Sequence, residues 1–202
     1  MDLTVIAITF GAIFVVELPD KTFIAALVLS TRYQPLFVWI GVGLAFLVQT
    51  LVAVSLGAVV ERFVPQYAVH VFTLVIFLVG AVILFRAAPK ADAEEHEAEE
   101  EYAARASVAR TGLSAIGTSF LVLFAAEWGD LSQLLTINFV TRFNERVEVF
   151  IGALAALLTV SGMAVLAGRV LLRYMRLSLL HYIGAAVCLV LAGWTVYELL
   201  AP

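Results

Sequence analysis

The sequence predicts an all-α membrane protein: six transmembrane helices in two inverted three-helix repeats. Three observations predict it. First, 63% of the 202 residues are hydrophobic and 14% charged, with a mean hydropathy of +1.03; soluble domains are about half apolar and about a quarter charged. Second, six segments reach the roughly 20 apolar residues that a membrane helix needs. Third, the chain matches itself when shifted by 110 or 111 residues.

The segments are 3–30, 36–60, 67–86, 113–140, 147–171 and 178–200, parted by the polar breaks TRYQP, ERFVPQ, TRFNER and RYMRLS. The opening MDLTVIAITF has no basic n-region and no small-residue cleavage pattern, so it reads as a retained helix. Residues 1–86 form a first repeat, 87–112 an acidic linker and 113–202 a second repeat. Seven of the ten linker residues from Asp92 to Glu101 are acidic, which predicts a solvated tether and makes the net charge of −4 a poor guide to the rest. The single Cys188 excludes an internal disulfide and a thiolate cluster for soft metals.

Loop charges orient the chain. With both termini outside, cytoplasmic loops hold eight Arg and Lys residues against three in the outer loops. The positive-inside rule then makes both termini extracytoplasmic and the acidic linker cytoplasmic, and the expected location is a bacterial inner (plasma) membrane.

The self-match is sharpest at polar residues. At an offset of 110, Glu17 meets Glu127, Asp20 meets Asp130, Thr22 meets Ser132, and Thr31-Arg32 meets Thr141-Arg142. At 111, Gly41 meets Gly152, Gly57 meets Gly168, Arg62 meets Arg173 and His70 meets His181. Three spans per repeat is an odd number, so the second copy enters the membrane the other way up. Inverted repeats of this kind place a substrate site near the midplane, between the halves.

The two acidic motifs fall there: Glu17-Leu18-Pro19-Asp20-Lys21-Thr22 and Glu127-Trp128-Gly129-Asp130-Leu131-Ser132-Gln133. Their Glu and Asp lie three apart, the spacing that puts both carboxylates on one side of a helix. Ionisable groups at membrane depth face the bundle interior and mark function. A purely structural ion pair fails on charge, because four carboxylates have one nearby cation, Lys21. With the hydroxyls of Thr22 and Ser132 they make an all-oxygen donor set, the preference of Ca²⁺, Mn²⁺ and Mg²⁺ rather than of zinc or copper. Four such charges against one divalent ion leave an excess that protons can neutralise once the metal leaves, so metal and protons compete for the same oxygens. Pro19 and Gly129 share the position before the Asp, where they either free backbone carbonyls as ligands or permit close packing. Gln49 and Gln133 are accessory candidates because buried amides are costly unpaired; Thr50, Asn138, Thr159 and Ser161 are further candidates for lining the pathway. His70 and His181 read as interfacial.

At these motifs the chain resembles the GDT family of small Ca²⁺/Mn²⁺ transporters, whose E-x-G-D-K/R-T/S signature occurs twice in inverted three-helix halves joined by an acidic loop. The resemblance covers nearly the whole chain, and EWGDLSQ is especially close to the family's second motif. It implies divalent cation/proton antiport with Mn²⁺ or Ca²⁺ as transported substrate, protons as counter-ion and no resident cofactor. It implies metal ligands at Glu17, Asp20, Glu127 and Asp130, with Thr22 and Ser132 at the hydroxyl positions. Two positions depart from the family pattern: Pro19 stands for a glycine and Leu131 for a basic residue. Lys21 therefore has no counterpart. Facing the site it would offset one negative charge; snorkelling to an interface it would not.

The expected partners are a divalent metal ion and the lipid bilayer, without nucleic acid; a homodimer is compatible with the class. A passive divalent cation channel is the alternative to exchange. An enzyme is disfavoured, since the sequence has no HExxH, nucleophile elbow or Cys/His pair.

Overall fold

The computed structural model describes residues 1–18, 20–105, 112–174 and 177–200. These residues form eight helices: α1 (Leu3–Glu17), α2 (Lys21–Arg32), α3 (Pro35–Val60), α4 (Gln66–Arg105), α5 (Leu113–Ala126), α6 (Leu131–Phe143), α7 (Arg146–Tyr174) and α8 (Leu177–Leu200). Four stretches, within α3, α4, α7 and α8, are long and apolar enough to cross a membrane alone. The pairs α1/α2 and α5/α6 add two broken spans, bent by 71° and 74°. With each bent pair counted as one span, the described residues hold six, as expected, but the first and fourth are not continuous helices.

Local chemistry sets the helix ends. Asp2 caps α1 by accepting from the Thr4 amide at 2.8 Å. Pro35 opens α3 at the first helical position, where its missing N–H costs nothing. Asn144 ends α6 in the left-handed conformation, at φ 57°. On one face of the molecule, here called the N-terminal face, Met1 lies against Glu148 at 3.7 Å and Arg146 reaches Glu61 at 3.2 Å. The turn between α2 and α3 and the far end of α4 lie on the opposite, linker face.

The halves interlock through glycine. α1 packs on α7, and its repeat counterpart α5 packs on α3. A Cβ at Gly152 would lie 2.7 Å from the Ile6 carbonyl oxygen and 2.9 Å from Thr9 Cβ; at Gly41 it would lie 2.9 Å from Ser119 Cβ. Small residues let membrane helices approach to backbone contact, and both crossings use the same repeat position. The stacks Phe10–Phe14 and Phe120–Phe124, with centroids 5.5 and 5.3 Å apart, repeat the pattern. Leu44, Leu51, Phe72, Val79 and Ile83 are exposed on α3 and α4, where acyl chains would cover them.

α4 differs from the tether expected after residue 86. Its helix runs on through Pro89 to Arg105, and Ala91, Ala98 and Tyr102 are buried in the same cluster as Phe23 to Leu29 of α2 and Tyr33 just beyond it. Alternating small and apolar positions among the acids give this stretch a face to bury, which a count of charges does not reveal.

Candidate metal site

The four motif carboxylates converge. Glu17, Asp20, Glu127 and Asp130 each place one oxygen within 4.8 Å of the others. Glu17 is 1% exposed and Glu127 4%, while Asp20 and Asp130 are half-buried.

They do not share a helix face, as their spacing suggested. Glu17 ends α1 and Glu127 caps the end of α5, while Asp20 and Asp130 precede α2 and α6. The helix breaks between each Glu and its Asp. Gly129, at φ +86°, takes a turn that side-chain-bearing residues rarely adopt. Pro19 and the Lys21 side chain lie outside the described residues, so the expectations placed on them concern groups the structure does not describe.

Breaking a helix at membrane depth exposes backbone groups that need partners. Gln133 supplies them at the second break. Its Nε2 donates to the Glu127 carbonyl at 2.9 Å, and its Oε1 accepts from the Gly129 amide at 3.2 Å. Gln49 donates to the Phe124 carbonyl at 3.0 Å, tying α3 to the end of α5. Both glutamines were accessory candidates; both line the cavity beside Glu127, with these polar atoms bonded to backbone. Their repeat counterparts are Phe23 and Val160, so the first break has neither brace.

Asp130 Oδ2 accepts from the Ser132 amide at 3.1 Å, capping α6. Thr22 donates its hydroxyl to Glu17 Oε2 at 3.3 Å. Glu17 Oε1 is buried with no hydrogen-bond partner among the described residues. A cavity of about 10 Å³ beside Glu127 is lined by Gln49, Thr50, Ser132 and Thr136 among others, room for about one water-sized particle. The half-helices α2 and α6 start at this centre with positive dipole ends, while α1 and α5 end there with carbonyls. Carboxylates, hydroxyls and helix-end carbonyls form a hard, oxygen-only donor set suited to a divalent cation.

Other expectations divide. Thr50 lines the cavity. Thr159 and Ser161 are satisfied within their own helix by the Ala155 and Leu158 carbonyls, and Asn138 bonds across to Thr73. Thr136 was missed, though its place one turn beyond Ser132 on the same helix face could have flagged it. Leu131, standing where a basic residue was expected, packs towards α4 and α8: a Cβ on Gly80 would lie 3.2 Å from Leu131 Cδ2 and 3.6 Å from Cys188 Sγ. A cation there would be pressed into apolar helices.

Six spans in two repeats of opposite entry, with acidic helix breaks meeting between them, define an integral membrane protein of the kind that moves cations. The family described as "Divalent cation/proton antiporter GDT1" matches the chain twice, over residues 5–92 and 115–202, and the chain belongs to it. GDT1-like protein sll0615 of Synechocystis sp. is 31% identical over 94% of this chain and 97% of its own length. Protein PAM71-homolog, chloroplastic, of Arabidopsis thaliana is 28% identical over 93% of this chain and 58% of its own, and GDT1-like protein 1, chloroplastic, of Oryza sativa subsp. indica 29% over 96% and 62%. The chain therefore spans about three-fifths of these chloroplast relatives. No solved structure matches.

Proposed function

We propose that the chain exchanges a divalent cation for protons through the carboxylate site, with Mn²⁺ as the leading substrate and Ca²⁺ the second. The observation that carries this reading is the convergence of Glu17, Asp20, Glu127 and Asp130 within 4.8 Å at two inverted helix breaks. A single +2 ion leaves an excess of negative charge there, and an empty site leaves more. Protons are the available counter-charge, and they take the same oxygens the metal needs. Thr22 and Ser132 orient the acids, and Gln49 and Gln133 hold the second break. The loop charges support a reading with both termini extracytoplasmic, and a bacterial inner membrane is the location this reading assumes.

Reconstitution into vesicles with an internal pH dye and a panel of Mn²⁺, Ca²⁺ and Mg²⁺ tests this. Metal added outside should drive protons out, and Glu17→Gln or Asp130→Asn should abolish that movement. Metal flux without proton movement would make the protein a channel. Proton movement unchanged in either variant would sink the shared-carboxylate mechanism.

A further inference from the structure

The half-helices that lead to the two glutamates carry a further matched pair. Thr9 on α1 and Ser119 on α5 meet at the repeat offset of 110. Each lies eight residues before its glutamate, about 12 Å along the helix. Both are 0% exposed, and among the described residues neither Thr9 Oγ1 nor Ser119 Oγ has a hydrogen-bond partner. Other helical hydroxyls are satisfied locally: Thr73, Thr118, Thr136 and Thr159 each donate to the carbonyl four residues back. A buried hydroxyl without a partner carries its full desolvation cost. The same cost at both counterpart positions points to a use.

The surroundings match as well. A Cβ on Gly152 of α7 would meet the Ile6 carbonyl oxygen, Thr9 Cβ and the Phe10 amide nitrogen; on Gly41 of α3 it would meet the Ile116 carbonyl oxygen, Ser119 Cβ and the Phe120 amide nitrogen. Each hydroxyl residue is therefore shut against bare backbone of the other half. Alanine would pack there as closely without burying a hydroxyl. Between hydroxyl and acid lies an aliphatic side chain, Ile13 in one half and Leu123 in the other, both 0% exposed. Thr9–Ile13–Glu17 and Ser119–Leu123–Glu127 are steps of four along one helix ridge. α1 starts on the N-terminal face, where Met1 meets Glu148. α5 starts on the linker face and crosses α3 at Gly41, near the Pro35 end of that helix. The two files thus approach the carboxylates from opposite faces.

We propose that these files are the two gates of the carboxylate site: an aliphatic plug next to each glutamate and, outside it, a hydroxyl that takes water or the hydrated cation as its missing partner when that gate opens. Both are shut in this structure. An apolar constriction keeps water out while it is closed, and the hydroxyl lowers the cost of wetting it. Parting α1 from α7 opens the N-terminal face, and parting α5 from α3 opens the linker face. What crosses the gates rests on the exchange reading; their position rests on the repeat and the unpartnered hydroxyls.

The test uses the full chain with Cys188→Ala in vesicles, inserted in one orientation, and Ag⁺ as a thiol probe small enough to follow the cargo. Thr9→Cys should lose exchange when Ag⁺ is added at the N-terminal face, and Ser119→Cys when it is added at the linker face, with the cysteine-free chain unaffected. Exchange that survives Ag⁺ in both variants, or block from the wrong face, would overturn the proposal. Thr9→Val and, separately, Ser119→Ala remove the hydroxyls. Each should slow exchange by about threefold to tenfold, the range expected for one membrane-buried polar contact, with Mn²⁺ affinity by electron paramagnetic resonance unchanged. A hydroxyl that only packs would leave the rate as it was, and that result in both variants would remove its role. Ile13→Ala combined with Leu123→Ala should leak protons without metal, and neither alone should, because the other plug stays shut. A tight double variant or a leaky single one would refute the plugs. Mn²⁺ binding verifies that each variant is folded, and the variants of one half stand in if those of the other do not fold. Mn²⁺ flux that Ag⁺ blocks in a chain moving no protons would support the gates while removing the exchange reading.

Discussion

Gln133 offers the clearest separation of a brace from a ligand. Its side chain makes two hydrogen bonds to the backbone of the second break, to the Glu127 carbonyl at 2.9 Å and from the Gly129 amide at 3.2 Å. Gln133→Leu keeps the volume and leaves both backbone groups unpaired. Polar contacts at membrane depth contribute about 0.6–1.7 kcal/mol each, so the pair should be worth roughly 1–3 kcal/mol. For a chain of this size that lowers the melting temperature by about 3–10 °C. Because the turn also sets Glu127 and Asp130, about half of that cost should appear in the site as a roughly threefold to tenfold loss of Mn²⁺ affinity. Gln133→Glu discriminates the roles. As a ligand, the new carboxylate would tighten metal binding by adding charge. As a brace, it loses the donor to the Glu127 carbonyl and turns an oxygen on it, so binding should be no better than in Gln133→Leu. Melting in detergent with and without Mn²⁺, beside an equilibrium titration, reads both quantities. Tighter binding by Gln133→Glu, or an unchanged melting temperature in Gln133→Leu, would refute the brace.

Other outcomes follow from the same geometry. Glu17→Gln removes a carboxylate from the oxygen cluster at its most buried position; added Mn²⁺ should then no longer raise the melting temperature as it does in the native chain, and an undiminished Mn²⁺-dependent rise would contradict this. Gly152→Ala sets a Cβ 2.7 Å from the Ile6 carbonyl oxygen, so it should cost about 1–3 kcal/mol in a denaturant titration, whereas Gly117→Ala, inside α5 with nothing within 4 Å, should cost nothing and add up to about 1 kcal/mol. Since protons and metal compete for the same carboxylates, apparent Mn²⁺ affinity should fall as pH is lowered from 8 to 6; a titration insensitive to pH would mean that binding displaces no protons.

The repeat was legible because its matches fall on Glu, Asp, Arg and His, residues that an apolar chain does not repeat by accident. The acids were legible for the same reason: a carboxylate in a membrane span is expensive without a task. The breaks were not. A three-residue spacing fits a continuous helix as well as a helix end, and Pro19 and Gly129 allow either; the positive φ of Gly129 belongs to the 74° bend between α5 and α6, which the packed fold sets. Gln133 and Gln49 stood out as costly amides, yet their partners are backbone groups that become available only once the helix is cut. Arg142 was counted as a loop charge. Its partner Glu198 lies 56 residues away, and no local pattern joins them. The long α4 was hidden by its acids, since Ala98 and Tyr102 need a neighbouring helix before their spacing means anything.

The uneven support of the two breaks bears on what duplication leaves behind. Each half contributes one Glu and one Asp, but the scaffolding amides serve the second break and the lone cation belongs to the first. The halves are alike in outline and specialised in trade. Exchanging the two motifs between them would not give a working mirror image. A glutamine at position 23 would arrive where Phe23 is 2% exposed in an apolar cluster, and a phenylalanine at 133 would strip the second break of the side-chain brace that α6 supplies. Ancestral symmetry survives in the path of the backbone, while the present chemistry is divided labour that neither half can perform for the other.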